Sequence, residues 1–280
     1  MSTAQYNIHQ IFYNDATRAQ LDDGFIPLDN SDGHADWYEF WAIRQFLHTH
    51  TLDADAYYGF LSPKFTDKTG LSASHVFDFI QQNSYRAVDA FVISPVWSHT
   101  AFFKNVFEQG EFFHRGLKAA TKEFLQRAQV AVDLETLVTH SQNTAFGNYI
   151  IAKPEFWRQW LILADALFEI AEQEQDEYAR GLSELVYYGG RPEAPMKVFV
   201  QERLATLILA TQNFKVAAYD TCYGPLCLDL VQDNEYFRAD FLACDAFKIA
   251  YTESQQPTFL RAYEKKREEL ELKYRHMNER

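Results

Sequence analysis

Between Gly147 and Leu161 the chain reads Gly-Asn-Tyr-Ile-Ile-Ala-Lys-Pro-Glu-Phe-Trp-Arg-Gln-Trp-Leu, an apolar run that passes directly into residues suited to starting a helix. Tyr149, Ile150 and Ile151 are strand formers in an unbroken series. Pro154 carries the fixed φ of a first helical position, and Glu155 beside it complements the positive helix end. Beyond it Phe156, Trp160, Leu163, Leu167 and Ala171, joined by Trp157, Leu161, Ala164 and Phe168, recur at helical spacing and form one broad buried face. A strand handing over to a long helix is therefore predicted here, and it makes the keel of an α/β core.

The same reading along the rest of the chain predicts strands at Gln5 to Tyr13, Phe25 to Leu28, Ala56 to Leu61, Ala87 to Ser94 and Lys215 to Tyr219. Helices are predicted at Asp36 to His50, Ala73 to Asn83 and, bent near Gly110 and Gly116, at Ala101 to Ala128. A nearly all-apolar helix covers Met196 to Thr211, and two more close the chain at Glu235 to Ser254 and Thr258 to His276. Glu172 to Tyr178 reads as polar, and Tyr187 to Pro195, with Gly189-Gly190 and two prolines, as a loop suited to a flap. Alternating strands and helices argue a mostly parallel sheet with helices on both faces. The expected organisation is a catalytic α/β domain over residues 1–232 and a helical extension over 233–280.

Length and composition are compatible with this: 280 residues, 47% hydrophobic and 16% aromatic, suffice for one large core. A net charge of −13 has the wrong sign for holding a phosphate backbone, so nucleic acid is not an expected partner. Cys222, Cys227 and Cys244 have neither the even count of a disulfide framework nor zinc-site spacing, and are expected as reduced thiols in a cytoplasmic protein. No apolar run reaches the length of a membrane span, and the start lacks the regions of a signal peptide. Peripheral association with the inner face of a membrane stays open.

Several residues carry candidate chemistry. Asp53 and Asp55 have the spacing with which two hard oxygens bridge a divalent ion to a diphosphate, but they precede their strand, and acidic pairs in solvated turns are common. Glu111 and His114, three apart on a helix, suit either metal ligation or an ordinary surface pair. Glu202 shares a stripe with Val198, Ala205 and Leu209, which points a carboxylate toward the interior or a cleft edge. Such a group is either functional or part of an ion pair. Lys64 is the cation at the carboxyl end of the third strand, where open α/β sheets bind ligands.

Asp29-Asn30 followed by Trp37-Tyr38-Glu39-Phe40-Trp41, then Tyr58-Gly59-Phe60-Leu61 with Lys64-Phe65, then Asn148 to Lys153 with its aromatic helix, and last Glu202-Arg203-Leu204, follow one another in order. The set resembles the landmarks of bacterial polysaccharide glycosyltransferases of the GT-A-like DUF4422 group, over roughly Phe25 to Tyr219. The resemblance implies a GT-A-like fold, a nucleotide-sugar donor with a UDP-sugar favoured, and a glycan acceptor in O-antigen or capsule synthesis. It places donor contacts at His9, Gln10, Tyr13, Asp29, Asn30, Tyr58 and Lys64, a site edge at Asn148, Lys153 and Arg203, and the catalytic base at Glu202 with Glu108 in reserve. The relatives usually carry a His-Tyr-Arg-Arg type element where this chain has Leu61-Ser62-Pro63-Lys64. If Lys64 alone neutralises the donor diphosphate, a divalent metal is not required.

Other classes stand beside this one. A glycan-binding protein that lost turnover, or a non-catalytic partner in envelope assembly, would have the same scaffold. The 16 tyrosines and 5 tryptophans suit carbohydrate stacking in either case. A metal hydrolase using Glu111 and His114 lacks further clustered ligands.

Overall fold

The computed structural model describes residues 5–173, 175–188, 191–223 and 235–278. In chain order these form β1 (Tyr6–Phe12), α1 (Asp15–Arg18), β2 (Ile26–Asp29), α2 (Glu39–Thr49), β3 (Tyr57–Leu61), α3 (Phe65–Thr69), α4 (Ala73–Asn83) and β4 (Ala90–Val92). There follow α5 (Trp97–Phe102), α6 (Val106–Phe113), α7 (Leu117–Arg127), β5 (Ile150–Ala152), α8 (Pro154–Gln173) and α9 (Glu177–Ser183). The last are β6 (Leu185–Tyr188), β7 (Arg191–Pro195), α10 (Met196–Gln201), α11 (Leu204–Thr211), β8 (Val216–Ala218), α12 (Glu235–Ser254) and α13 (Pro257–Asn278).

The fold is α/β with a mostly parallel six-stranded sheet in the order β2-β1-β3-β5-β4-β8. β1 runs parallel to β2 and β3, β4 runs parallel to β8, and β5 is antiparallel to both of its neighbours. Alternation along β3 splits its side chains between two layers. Tyr58 and Phe60 join Phe40, Ile43, Trp157 and Trp160 beneath α2 and α8. Tyr57 and Leu61 join Val76, Phe79 and Ile80 of α4 on the other face. Trp157 at the head of the keel helix donates its indole N–H to the Tyr58 carbonyl at 2.9 Å, so α8 is fixed to the middle of the sheet.

Four parts differ from the sequence expectation. The helix over 101–128 breaks at 103–105 and again at 114–116 into α5, α6 and α7, and Gly110 lies inside α6. The apolar helix over 196–211 is two helices, because the Arg203 guanidinium takes the Phe199 carbonyl (2.6 Å) that a continuous helix would offer to the Arg203 N–H. The Arg203 N–H turns to Val200 instead, and the helix breaks at Glu202–Arg203. The polar stretch after residue 173 holds a short helix capped by Asp176, which accepts from the Ala179 N–H at 2.9 Å. The proline-bearing loop is an antiparallel strand pair, β6 with β7, whose tip at Gly189-Gly190 lies outside the described residues. Prolines and a register shift hide its alternation.

The expected boundary at residue 232 falls in 224–234, outside the described residues. After it α12 and α13 form a hairpin seated on α5, with Phe237, Phe241, Cys244 and Tyr263 packed against Trp97 and Phe102. Buried Lys248 donates to the carbonyls of Thr100 and Phe103, and the Tyr263 hydroxyl donates to the Phe102 carbonyl at 2.7 Å.

Gly59 faces Ile151 across the β3–β5 pairing, and a Cβ there would stand 2.6 Å from Ile151 Cγ1. Gly59→Ala is expected to cost about 1–3 kcal/mol by overpacking, lowering Tm by several degrees in a calorimetric scan; an unchanged Tm would show that the two central strands have room to part.

Candidate functional site

The strands β1, β3, β4 and β8 all end at one rim of the sheet. β5 runs the other way, so it begins there, and Tyr149 just before it reaches the same rim. Its hydroxyl lies 2.7 Å from Ser62 Oγ, one residue past the end of β3, while its carbonyl accepts from the Ile93 N–H past the end of β4. Burial raises the Tyr149 pKa above the ordinary phenol range, opposed by the Ser62 bond and aided by the carboxylates of Glu39, Glu202 and Asp67. Those carboxylates come from α2, from the break between α10 and α11, and from α3. Tyr13, one residue past β1, adds a buried hydroxyl whose pKa is raised by burial and by the Glu39 carboxylate beside it.

Lys64 and Glu202 share this rim. Lys64 stands two residues beyond Ser62 at the start of α3, exposed, and among the described residues no carboxylate forms an ion pair with it. The Glu202 side chain is 41% exposed, with Arg203 at 3.9 Å, so it does not point into the interior. At the end of β2, Asp29 and Asn30 border a cavity of about 370 Å³ whose other wall is Trp41, Gln45, Phe46 and His50 of α2 and its end. Asp29 accepts from the Ser31 N–H and hydroxyl at 2.8 and 2.7 Å, which hold its carboxyl below the usual range. Asn30 donates to the Tyr38 carbonyl at 3.0 Å, and a Cβ on Gly33 would meet Asn30 Oδ1 at 2.1 Å. Only glycine lets that loop close.

Other expected site residues lie elsewhere. Tyr58 and Lys153 are at the opposite rim: the Tyr58 hydroxyl accepts from the Asp53 N–H at 2.9 Å, and Lys153 Nζ pairs with Asp89 at 3.0 Å. Asp53 and Asp55 share that far side, in a turn where Asp53 accepts the Asp55 N–H. His9 is mid-strand, its ring 4.7 Å from that of Phe46 and 5.5 Å from that of Phe60. Gln10 is buried beneath the rim, reaching the Ser62 carbonyl at 3.4 Å and accepting the Asp22 N–H at 2.9 Å, so it supports the site without facing it.

The reserve base is a structural group. Glu108 receives Arg267 on both oxygens (2.7 and 2.9 Å) and the Lys104 N–H (2.6 Å), which joins α6 to the C-terminal hairpin. Arg203 is buried and spends its donors on Val106, Phe199 and Gln109. It is a clamp, not a site edge. Asn148 is buried with φ of 57° and donates to Gln201 Oε1 at 3.2 Å, leaving its own Oδ1 unpaired beneath the rim. Glu111 accepts the N–H groups of Gly116 and Lys118 at the start of α7, so its carboxylate is already engaged.

Ser62, Glu39 and Tyr149 are rim residues that lie within the landmark stretches without having been singled out: Tyr149 sits in an apolar run, and core packing explains such a run without further chemistry. Among the described residues no three His, Cys, Asp or Glu side chains gather as a metal site, and no helix is long and apolar enough to cross a membrane. Comparison with protein-family models, with curated proteins and with solved structures gives no match.

Burial holds His9, His114 and His140 at about 4, below the ordinary 6.5. The folded chain therefore binds fewer protons than the unfolded chain between these values, and stability present above pH 6.5 is lost as pH falls toward 4. Urea midpoints should drop across that window, and His9→Phe, which keeps the aromatic stack, should flatten the drop; an identical slope in the variant would contradict a buried neutral His9. Removing the Tyr149 hydroxyl in Tyr149→Phe should cost about 1–2 kcal/mol in the same assay by leaving Ser62 unpaired.

Proposed function

We propose that the chain is a GT-A-type glycosyltransferase that moves a sugar from a nucleotide-sugar donor to a hydroxyl of a glycan acceptor in building a bacterial surface polysaccharide, O-antigen or capsule. The observation that carries this reading is that Lys64, which has no ion pair among the described residues, follows Ser62 by two positions, while the part-exposed Glu202 acts on Tyr149, the bridging partner of Ser62, at the rim where the parallel strands end. That rim is where open α/β sheets receive ligands.

Neighbouring strands stand about 4.8 Å apart, so β2 and β3 are separated by roughly 10 Å along the rim. A nucleoside in the cavity beside Asp29 and Asn30, UDP being favoured, would thus send its diphosphate past Tyr13 toward Lys64. As the bond from the sugar anomeric carbon to the diphosphate oxygen breaks, negative charge grows on the leaving group, and a fixed ammonium there lowers the barrier. In an inverting displacement the acceptor oxygen bonds to that carbon while its proton passes to Glu202. The scheme uses Lys64 where related chemistry uses a divalent ion, and it suits work at the cytoplasmic face of a membrane.

Glu202→Gln should lower turnover roughly 10²- to 10⁴-fold while leaving the thermal shift induced by UDP unchanged. Lys64→Ala should weaken that shift as well as turnover, and chelator should spare the wild type. Wild-type turnover in Glu202→Gln would eliminate it as base; complete loss in chelator, restored by manganese or magnesium, would rule out the lysine scheme. Stabilisation by glycan alone, with no nucleotide effect, would favour a binding protein.

A further inference from the structure

A second cavity opens at the far end of the same rim. It measures about 310 Å³ and lies where β8 ends, enclosed by Trp97 at the head of α5, Leu242 of α12, Gln142, and the stretch from Tyr219 to Cys222. Three strand steps separate it from β3, roughly 14 Å. It is thus beyond reach of the groups already assigned to the donor, yet on the same open edge.

Its chemistry differs from that of the β2 cavity. Two carboxylates line it, Asp220 and Asp245, and among the described lining residues there is no cation. Asp245 is committed: both oxygens accept from Ser141, N–H at 3.0 Å and hydroxyl at 2.6 Å. Asp220 is exposed; its Oδ1 accepts the Cys222 N–H at 3.0 Å, and its carboxylate also takes the Cys222 thiol. Two basic groups stand behind the lining, each donating to carbonyls: Lys248 to those of Thr100 and Phe103, and Arg238 to that of Cys222. Gln142 and Tyr219 also line it, beside an apolar wall of indole and leucine, with the Tyr219 ring 5.2 Å from that of Phe79. Apolar walls with a few placed polar groups are the make-up of a small-molecule site.

We propose that this cavity binds a sugar unit of the acceptor glycan that is uncharged or carries an amino group, and that it turns acidic sugars away. The class follows from the lining: ring faces lie against Trp97 and Leu242, hydroxyls donate to Asp220 and exchange bonds with Gln142, and a ligand carboxylate would meet Asp220 and Asp245 with no cation among the described lining residues. An amino group would find Asp220 as its partner. The inference rests on the transferase reading for the word acceptor, but the site itself does not need a nucleotide.

Saturation-transfer NMR on the full chain with the p-nitrophenyl glycosides of glucose, galactose, N-acetylglucosamine, glucosamine and glucuronic acid tests it. At least one neutral or amino glycoside should give transfer, and the glucuronide should bind at least about tenfold more weakly, as like charges near a protein surface require. Gln142→Ala, at an exposed position, should weaken the neutral ligands. Asp220→Lys should abolish glucosamine transfer and bring the glucuronide signal up. The proposal is overturned if no glycoside of the panel binds, if the glucuronide binds as well as the others, or if both variants bind as wild type does. A UDP titration on the same samples separates the two readings: glycosides bound without any nucleotide response leave this site standing and remove the transferase, whereas a nucleotide response without glycoside binding removes this site alone.

Discussion

The direction of β5 is the constraint on which the site depends. Were all six strands parallel, the segment before β5 would enter at the amino rim, and Asn148 and Tyr149 would face the side occupied by Asp53 and Lys153. Because β5 is antiparallel to β3 and β4, its entry meets the exits of its neighbours. One phenol there joins the ends of two strands, through its hydroxyl to Ser62 and through its carbonyl to Ile93. The carboxylates that act on it, Glu39, Glu202 and Asp67, come from separate elements.

The surrounding helices are held by cations placed inside the protein. Lys197 is 1% exposed, pairs with Asp36 at 2.5 Å and Glu172 at 2.7 Å, and lies over the Trp37 ring, so the entry to α2 is tied to the end of α8. Arg203 binds α6 to the break that presents Glu202. Lys248 holds the C-terminal hairpin against α5. Each is surrounded by acceptors, which is the condition under which a buried charge is tolerated. Since each joins elements distant in sequence, the rim inherits its geometry from the core beneath it.

How much of this was legible in the sequence depends on range. Periodicity located the keel strand and helix, the alternating strands and the two closing helices, since local spacing reports which face is buried. It could not report direction, and β5 reads the same whether parallel or antiparallel. The break at Glu202 was hidden because its cause is the Arg203 side chain, reaching carbonyls on α10 and α6 that no local pattern reveals. Lys64 and Glu202 drew notice because a charge after a strand or within an apolar helix stands out, whereas Asp29 came from the resemblance. Tyr58, Lys153, Glu108 and Arg203 were placed at the site by landmark alone, and their bonds to Asp53, Asp89, Arg267 and Val106 show structural work instead.

A crystal structure of the full chain grown with UDP tests the central claim most directly. The account predicts density for the nucleoside against Asp29 to Gly33 and for the diphosphate within ion-pair reach of Lys64, with Tyr149 and Ser62 still joined. A nucleotide at the opposite rim beside Lys153, or no nucleotide density at saturating UDP, would contradict it.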